Sequence, residues 1–448
     1  MTSAVDPSRG QRETFGSRFG TLLTMIGVAA GLGNVWRFPY MVGEFGGAAF
    51  VLFYVLAIAV IGVPALAAEW TLGRHTRIGT VGAFAAAGLP GGRWVGWFFF
   101  LTMTAAIGYY TNVLGWVAYF GIGEAASALG LEWSSADILP PATGTSGRSF
   151  LLQAFVTALI MLACVLVLTR GLRRGIERAS RLLTPALFIG LIALAFRALT
   201  LPGAGAGLEW YILKFDPQQI NAGVVLAATG QAAFSLSLGG TFMVVYGSYL
   251  RRDENIPQLA VLTAAGDTLA GLLAGLAIFP AVFAIGLEPS SGPGLLFETL
   301  PAVFDAMPTG WLFGALFFGS LFGAGFLSDL AAFEVVIAGL TDNTRLRRRQ
   351  AAWLMAGVAY LFALLPMINL EVFLRWDLTF GSGMQTLGAL VAAVTLGWSL
   401  RRSAALRELA QGCESRLVGL LYVWIRYVIP TVILGLFVGW ILSQVLGP

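Results

Sequence analysis

The sequence predicts an all-α, polytopic membrane protein: an inverted five-helix repeat (5+5) with broken first and sixth helices, plus an eleventh helix. Three observations predict it. Of 448 residues, 57% are hydrophobic and only 11% charged, with a mean hydropathy of +0.80, more apolar than a soluble core requires. Apolar windows of roughly 20 residues, the length of a helix that crosses a bilayer, recur along the whole chain. The first and sixth windows are interrupted at corresponding positions by glycines and polar residues, and an odd repeat length inserts the second half upside down.

Residues 1–18 read as a polar, basic cytoplasmic tail with no cleavable signal ahead of the first span. Gly, Pro and Arg punctuation divides the rest into eleven candidate spans at 19–43, 48–72, 94–124, 149–169, 180–200, 223–250, 257–287, 308–340, 349–370, 374–400 and 417–446. The first repeat is 19–200, an extracellular linker 201–222, the second repeat 223–400, and 401–448 a cytoplasmic loop with the eleventh helix. Arginines gather in alternate loops: Arg9, Arg12 and Arg18; Arg74, Arg77 and Arg93; Arg170, Arg173, Arg174, Arg178 and Arg181; Arg251 and Arg252; Arg345, Arg347, Arg348 and Arg349; Arg401, Arg402, Arg407 and Arg416. The opposite side holds only Arg148, Arg197, Lys214 and Arg375. This bias predicts the inner membrane of a bacterium, with the N-terminus cytoplasmic and the C-terminus outside.

The net charge of +4 is thus explained by topology; spread over six loops, the arginines make no nucleic-acid-binding patch. Cys164 in a span and Cys413 in a loop suggest neither a disulfide framework nor a metal site. The only histidine, His75, lies in a cytoplasmic loop, and no GxSxG, HExxH or paired-acid motif is present. An enzyme is therefore not expected.

The first interruption is "GVAAGLGNVWRFP", Gly27 to Pro39; the second is "GQAAFSLSLGGTFMVVYGSYLRRDE", Gly230 to Glu254. Close packing accounts for Gly27-x-x-x-Gly31 but not for the Asn34 and Arg37 that follow. Where helices unwind at mid-membrane, free N–H groups hold an anion and free carbonyls a cation.

These two stretches resemble the first- and sixth-helix signatures of the neurotransmitter:sodium symporter family. "EWTLGR" (Glu69 to Arg74), "RGIERAS" (Arg174 to Ser180) and "GPGLLFETLPAVF" (Gly292 to Phe304) extend the similarity over nearly the whole chain. Eleven spans resemble the family's bacterial amino-acid branch. The resemblance implies sodium-coupled symport of an amino acid into the cell by alternating access. Its partners would be a small-molecule substrate and the lipid bilayer; oligomeric state leaves no signature in the sequence.

By this resemblance the first sodium ion is held by Ala29, Asn34, Ser235 and Asp267, an oxygen set suited to a hard cation. An unpaired acid at mid-span costs roughly 2.5–3.5 kcal/mol, so a cation or proton partner is expected for Asp267. The alternative is a protonated acid donating to a neighbouring helix. A fixed charge at Asp267 implies independence from chloride. The substrate carboxylate falls on the N–H groups of Leu32 and Gly33 and on Tyr110, and Gly31 stands where amine-transporting relatives carry an aspartate. Ser237 also falls in the substrate site, Phe234 roofs it, Arg37 with Asp377 gates it from above, and Arg12 with Asp342 closes the cytoplasmic side.

The second sodium site breaks the pattern. Gly27, Ala30, Ala324 and Ser328 match, but Leu327 replaces an expected oxygen ligand. Either the site persists with fewer ligands, or coupling uses one sodium, with or without a proton, or the scaffold is an uncoupled channel or sensor. In relatives that bind small aliphatic amino acids the pocket walls are bulky, whereas here they are Ala106, Gly240 and Ala332. An enlarged pocket with Asp329 in its far part predicts a bulky aromatic or basic substrate. The alternatives for Asp329 are a protonated acid, or one turned toward the third, seventh or tenth helix.

Overall fold

The computed structural model describes residues 12–446 apart from 132, 288, 290, 291 and 412–416, so Arg9, Cys413 and Arg416 lie outside the described residues. No strand occurs among them. Helical segments coincide with all eleven windows. They are α1 (Arg18–Ala29 and Gly33–Phe45), α2 (Gly47–Thr76), α3 (Gly92–Ser127), α4 (Gly147–Leu168), α5 (Leu172–Leu199) and α6 (Ala222–Ser235 and Phe242–Ser248). The second half adds α7 (Ile256–Ala284), α8 (Gly310–Asn343), α9 (Arg348–Ala363), α10 (Leu370–Ser399) and α11 (Val418–Gly439). By length and apolarity alone seven qualify as membrane spans, or eight when the pieces of α1 count as one. The other three are α3, α6, which is broken, and α9, which has 16 residues.

Both breaks have local causes. α1 begins at the N-cap Ser17, whose hydroxyl accepts the Gly20 N–H at 3.0 Å, and its second half leaves the first at 51°. In α6 the chain takes positive φ at Ser237 (51°), Gly239 (86°) and Thr241 (60°), which no helix accommodates. Gly239 is required twice over: for its φ, and because a Cβ there would collide with the α10 backbone at Gln385 and Ala389. Its N–H, freed by the break, donates to the buried Glu69 of α2 at 2.8 Å. α8 is the central helix, 94% of its apolar window lying inside the protein, whereas α11 is peripheral at 28%.

Candidate functional site

Three side chains from three helices meet beside the break in α1. Asn34 Nδ2 donates to Ser235 Oγ (2.9 Å), to Asp267 Oδ1 (2.8 Å) and to the Asp267 carbonyl (2.8 Å). Ser235 Oγ donates to Asp267 Oδ2 at 2.7 Å. All three residues are buried, and Tyr54 of α2 joins them, its hydroxyl 3.1 Å from Ser235 Oγ and 3.5 Å from Asp267 Oδ2. A carboxylate and two hydroxyls thus converge in a buried site, while the Asn34 amide oxygen accepts the Gly31 N–H at 3.2 Å; a turn of that amide would add its oxygen to a set that suits a small hard cation. Ala29 lies at the same break and lines the adjoining cavity.

That cavity offers ≈ 50 Å³ to the centres of water molecules, enough for a few waters or part of one side chain. Ala29, Gly31, Leu32, Gly33, Ala106, Tyr110, Phe234, Ser235, Ser237, Ser328 and Ala332 all line it. The Leu32 N–H donates to Tyr110 Oη at 3.3 Å, so the unwound backbone and the phenol form one polar corner. A Cβ on Gly31 would lie 3.0 Å from Tyr110 Oη and collide with Ser328 Oγ, leaving no room for a side-chain carboxylate. Ser237 Oγ and Ser328 Oγ both donate to the Val28 carbonyl, at 3.3 and 3.2 Å.

Two residues assigned to this cavity from sequence do not line it. Asp329 is fully buried and turned away: its carboxylate accepts from Thr111 Oγ1 of α3 at 3.0 and 3.1 Å and from Cys164 Sγ of α4 at 3.5 Å. Its polar neighbours are thus a hydroxyl, which also reaches the Ile107 carbonyl at 2.8 Å, and a thiol on adjacent helices rather than the cavity. Gly240 is covered, because Phe242 and the Met103 Cε come within 2.5 and 2.7 Å of where its Cβ would stand. Close packing has filled the volume the glycine vacates, and both covering side chains line the cavity instead.

At the second sodium position the hydrocarbon dominates. A Cβ on Gly27 would lie 2.5 Å from Thr184 Oγ1 and 2.8 Å from Leu327 Cδ1, so the buried leucine end closes on the Gly27 backbone. Thr184 is committed to the Leu23 carbonyl at 3.1 Å. Ala30 and Ala324 are buried and can contribute only carbonyls. The oxygen set here fits a cation poorly.

The two charge pairs expected to act as gates differ. Arg12 Nη1 pairs with Asp342 Oδ2 at 2.6 Å, and the same oxygen accepts the Gly79 N–H at 2.6 Å. Burial opposes the Arg12 charge, but Tyr249 and Asp342 beside it more than compensate and raise its pKa. Behind it, Tyr249 Oη donates to Glu334, which also binds Arg348. On the other side Arg37 lies 4.2 Å over the Phe234 ring. Among the described residues no ion pair joins Arg37 to Asp377; both line a vestibule of ≈ 250 Å³ above Phe234, with Trp36, Tyr40 and Phe373. The expected outer pair is not formed: the Arg37 guanidinium stacks on Phe234 instead.

A family model described as the sodium:neurotransmitter symporter family matches residues 12–138 and 149–445. The chain belongs to this family. An uncharacterised sodium-dependent transporter of Haemophilus influenzae is 32% identical over 457 residues, covering 96% of this chain and 98% of its own. The sodium-dependent transporter YhdH of Bacillus subtilis is 31% identical, covering 94% and 96%. Among solved structures, MhsT in complex with L-phenylalanine superposes with a TM-score of 0.84 at 34% identity, over 96% of this chain and 99% of that one. As a sodium:neurotransmitter symporter family member the chain is a multi-pass, sodium-dependent transporter, not an enzyme.

Within that family frame, sequence reasoning missed Tyr54, Glu69, Met103 and Phe242. Glu69 carried a signal, an acid inside an apolar window next to a recognised motif. Tyr54, Met103 and Phe242 carried none, since aromatic and methionine side chains are ordinary in such spans.

Proposed function

We propose that this protein carries an amino acid with a bulky aromatic side chain into the cell, coupled to one sodium ion and independent of chloride. The observation that carries the reading is the buried Asn34–Ser235–Asp267 cluster set directly against the unwound backbone at Leu32 and Tyr110. A cation there and a carboxylate on the N–H groups of Leu32 and Gly33 stabilise one another, so that each ligand raises the other's affinity. Ala106 and Ala332 keep their own walls small, flexible Met103 can move aside to admit a large side chain, and Phe234 and Phe242 supply apolar faces. The orientation of Asp329 removes the support for a basic substrate. The ligand in the MhsT complex, L-phenylalanine, agrees with an aromatic side chain.

Alternating access then consists of closing Arg37 toward Asp377 over Phe234 and releasing Arg12 from Asp342. The arginine distribution supports an N-terminus on the cytoplasmic side. Leu327 supports single-ion coupling. The test is competition binding and counterflow in proteoliposomes with tryptophan, phenylalanine, leucine, arginine and taurine. Tryptophan or phenylalanine should bind tightest, with a sodium Hill coefficient of about 1 and no change when gluconate replaces chloride. Leucine or taurine binding tightest would overturn the aromatic assignment. Equilibration of labelled substrate without counterflow would favour an uncoupled channel or sensor on this scaffold.

A further inference from the structure

Five arginines at the turn from α4 into α5 share one open concavity of ≈ 900 Å³: Arg170 between the helices and Arg173, Arg174, Arg178 and Arg181 on the first turns of α5, with Glu177 and Gly16 completing its lining. Orientation bias accounts for the number of arginines here but not for their convergence on one space. All five are exposed, whereas Glu177 is buried. Its carboxylate is already committed, to the Gly16 N–H at 3.0 Å and to Arg181 at 2.5 Å. Arg170, Arg173, Arg174 and Arg178 form no ion pair among the described residues. The concavity therefore holds a large excess of positive charge facing outward.

Its edges run onto hydrocarbon. Leu162 and Leu166 of α4 and Leu182 and Ile189 of α5 are exposed side chains flanking the arginines, and they continue into the lipid-facing surface of both helices. A ligand that is anionic at one end and apolar at the other matches this juxtaposition.

The same turn also grips the chain next to the Arg12–Asp342 pair. Glu13 accepts the N–H groups of Leu172 (3.0 Å) and Arg173 (3.1 Å), Arg173 Nε donates to the Thr14 carbonyl (2.7 Å), and Arg181 donates to Ser17 Oγ (2.9 Å). Residues 13–17, immediately after Arg12, are thus laced to a turn whose five like charges repel one another.

We propose that this concavity binds the phosphate-bearing headgroup of an anionic phospholipid, with the acyl chains along Leu166 and Leu182, and that the bound lipid secures residues 13–17 and hence the Arg12–Asp342 gate. Basic pockets beside transmembrane helices recognise such headgroups, and neutralising the arginines removes the repulsion that strains the turn.

The test uses the full-length protein in nanodiscs of pure phosphatidylcholine or of phosphatidylcholine with phosphatidylglycerol. It reads bound lipid by native mass spectrometry and amide hydrogen exchange over residues 13–17. Phosphatidylglycerol should be retained and should slow exchange. The triple variant R170Q/R174Q/R178Q, which leaves the contacts of Arg173 and Arg181 intact, should lose retention at least ~10-fold and abolish the slowing. The charge-keeping R170K/R174K/R178K variant should retain most of both effects, which distinguishes lost charge from a damaged fold. Equal retention by wild type and the Gln variant, or exchange indifferent to phosphatidylglycerol, would overturn the proposal. So would inorganic phosphate in phosphatidylcholine nanodiscs reproducing the slowing, because the site would then belong to a free anion.

Discussion

The two flanks of the break in α1 are built from different chemistry. On the α6 and α7 flank, the Asn34 amide nitrogen and the oxygens of Ser235, Asp267 and Tyr54 form a buried, fully connected cluster. On the α5 and α8 flank, the corresponding space at Gly27 is closed by the Leu327 side chain, and the neighbouring acid on α8, Asp329, faces Thr111 and Cys164. The difference teaches that an intramembrane acid does not by itself mark a ligand site. What matters is which other oxygens lie around it. Asp267 accepts from Asn34 Nδ2, Ser235 Oγ and Tyr54 Oη, and the two hydroxyl oxygens beside it keep lone pairs that a cation can use; Asp329 faces one hydroxyl and one thiol of neighbouring helices, away from the cavity.

Four substitutions break or sharpen this contrast, in decreasing order of expected effect. Asp267→Ala removes the charge from the first flank and takes away the acceptor shared by Asn34 Nδ2 and Ser235 Oγ. Loss of one partner in a buried charged network costs roughly 3–5 kcal/mol, so sodium-dependent substrate binding should fall by at least ~100-fold in scintillation proximity or calorimetric titration. Unchanged binding would reject the cluster as the ion site. Ala332→Leu pushes bulk from the α8 flank into the cavity. Overpacking of about 1–3 kcal/mol predicts a loss of roughly 10-fold for tryptophan with leucine largely spared, read as a ratio of inhibition constants.

Leu327→Thr puts an oxygen where the second flank has a methyl group. If the missing ligand is what separates the flanks, the Hill coefficient for sodium should climb from about 1 toward about 2. A slope already near two in the wild type would mean that both flanks bind an ion. The smallest effect belongs to Asp329→Asn. Substrate affinities should stay within ~2-fold, while thermal stability drops by only about 1 kcal/mol from weakened bonds to Thr111 and Cys164. A selective change in affinity for arginine or lysine would restore Asp329 to the substrate site.

Much of this molecule is dictated locally. Apolar windows and the glycines in the middle of two of them specify helices and breaks, because lipid permits no unsatisfied backbone except where a cavity receives it. The cost of burying Asn34 and Asp267 in apolar windows likewise marks them, from their place in the sequence alone, as partners in some polar site. Which way Asp329 turns, that Met103 and Phe242 cover Gly240, that Glu69 catches the Gly239 N–H, and that Arg12 meets Asp342 while Arg37 stacks on Phe234 were decided only by tertiary structure. Each depends on which atoms of distant segments lie within a hydrogen bond or a van der Waals contact. One helix position can face a cavity or a neighbouring helix after a small rotation, and the primary sequence carries no term for that angle.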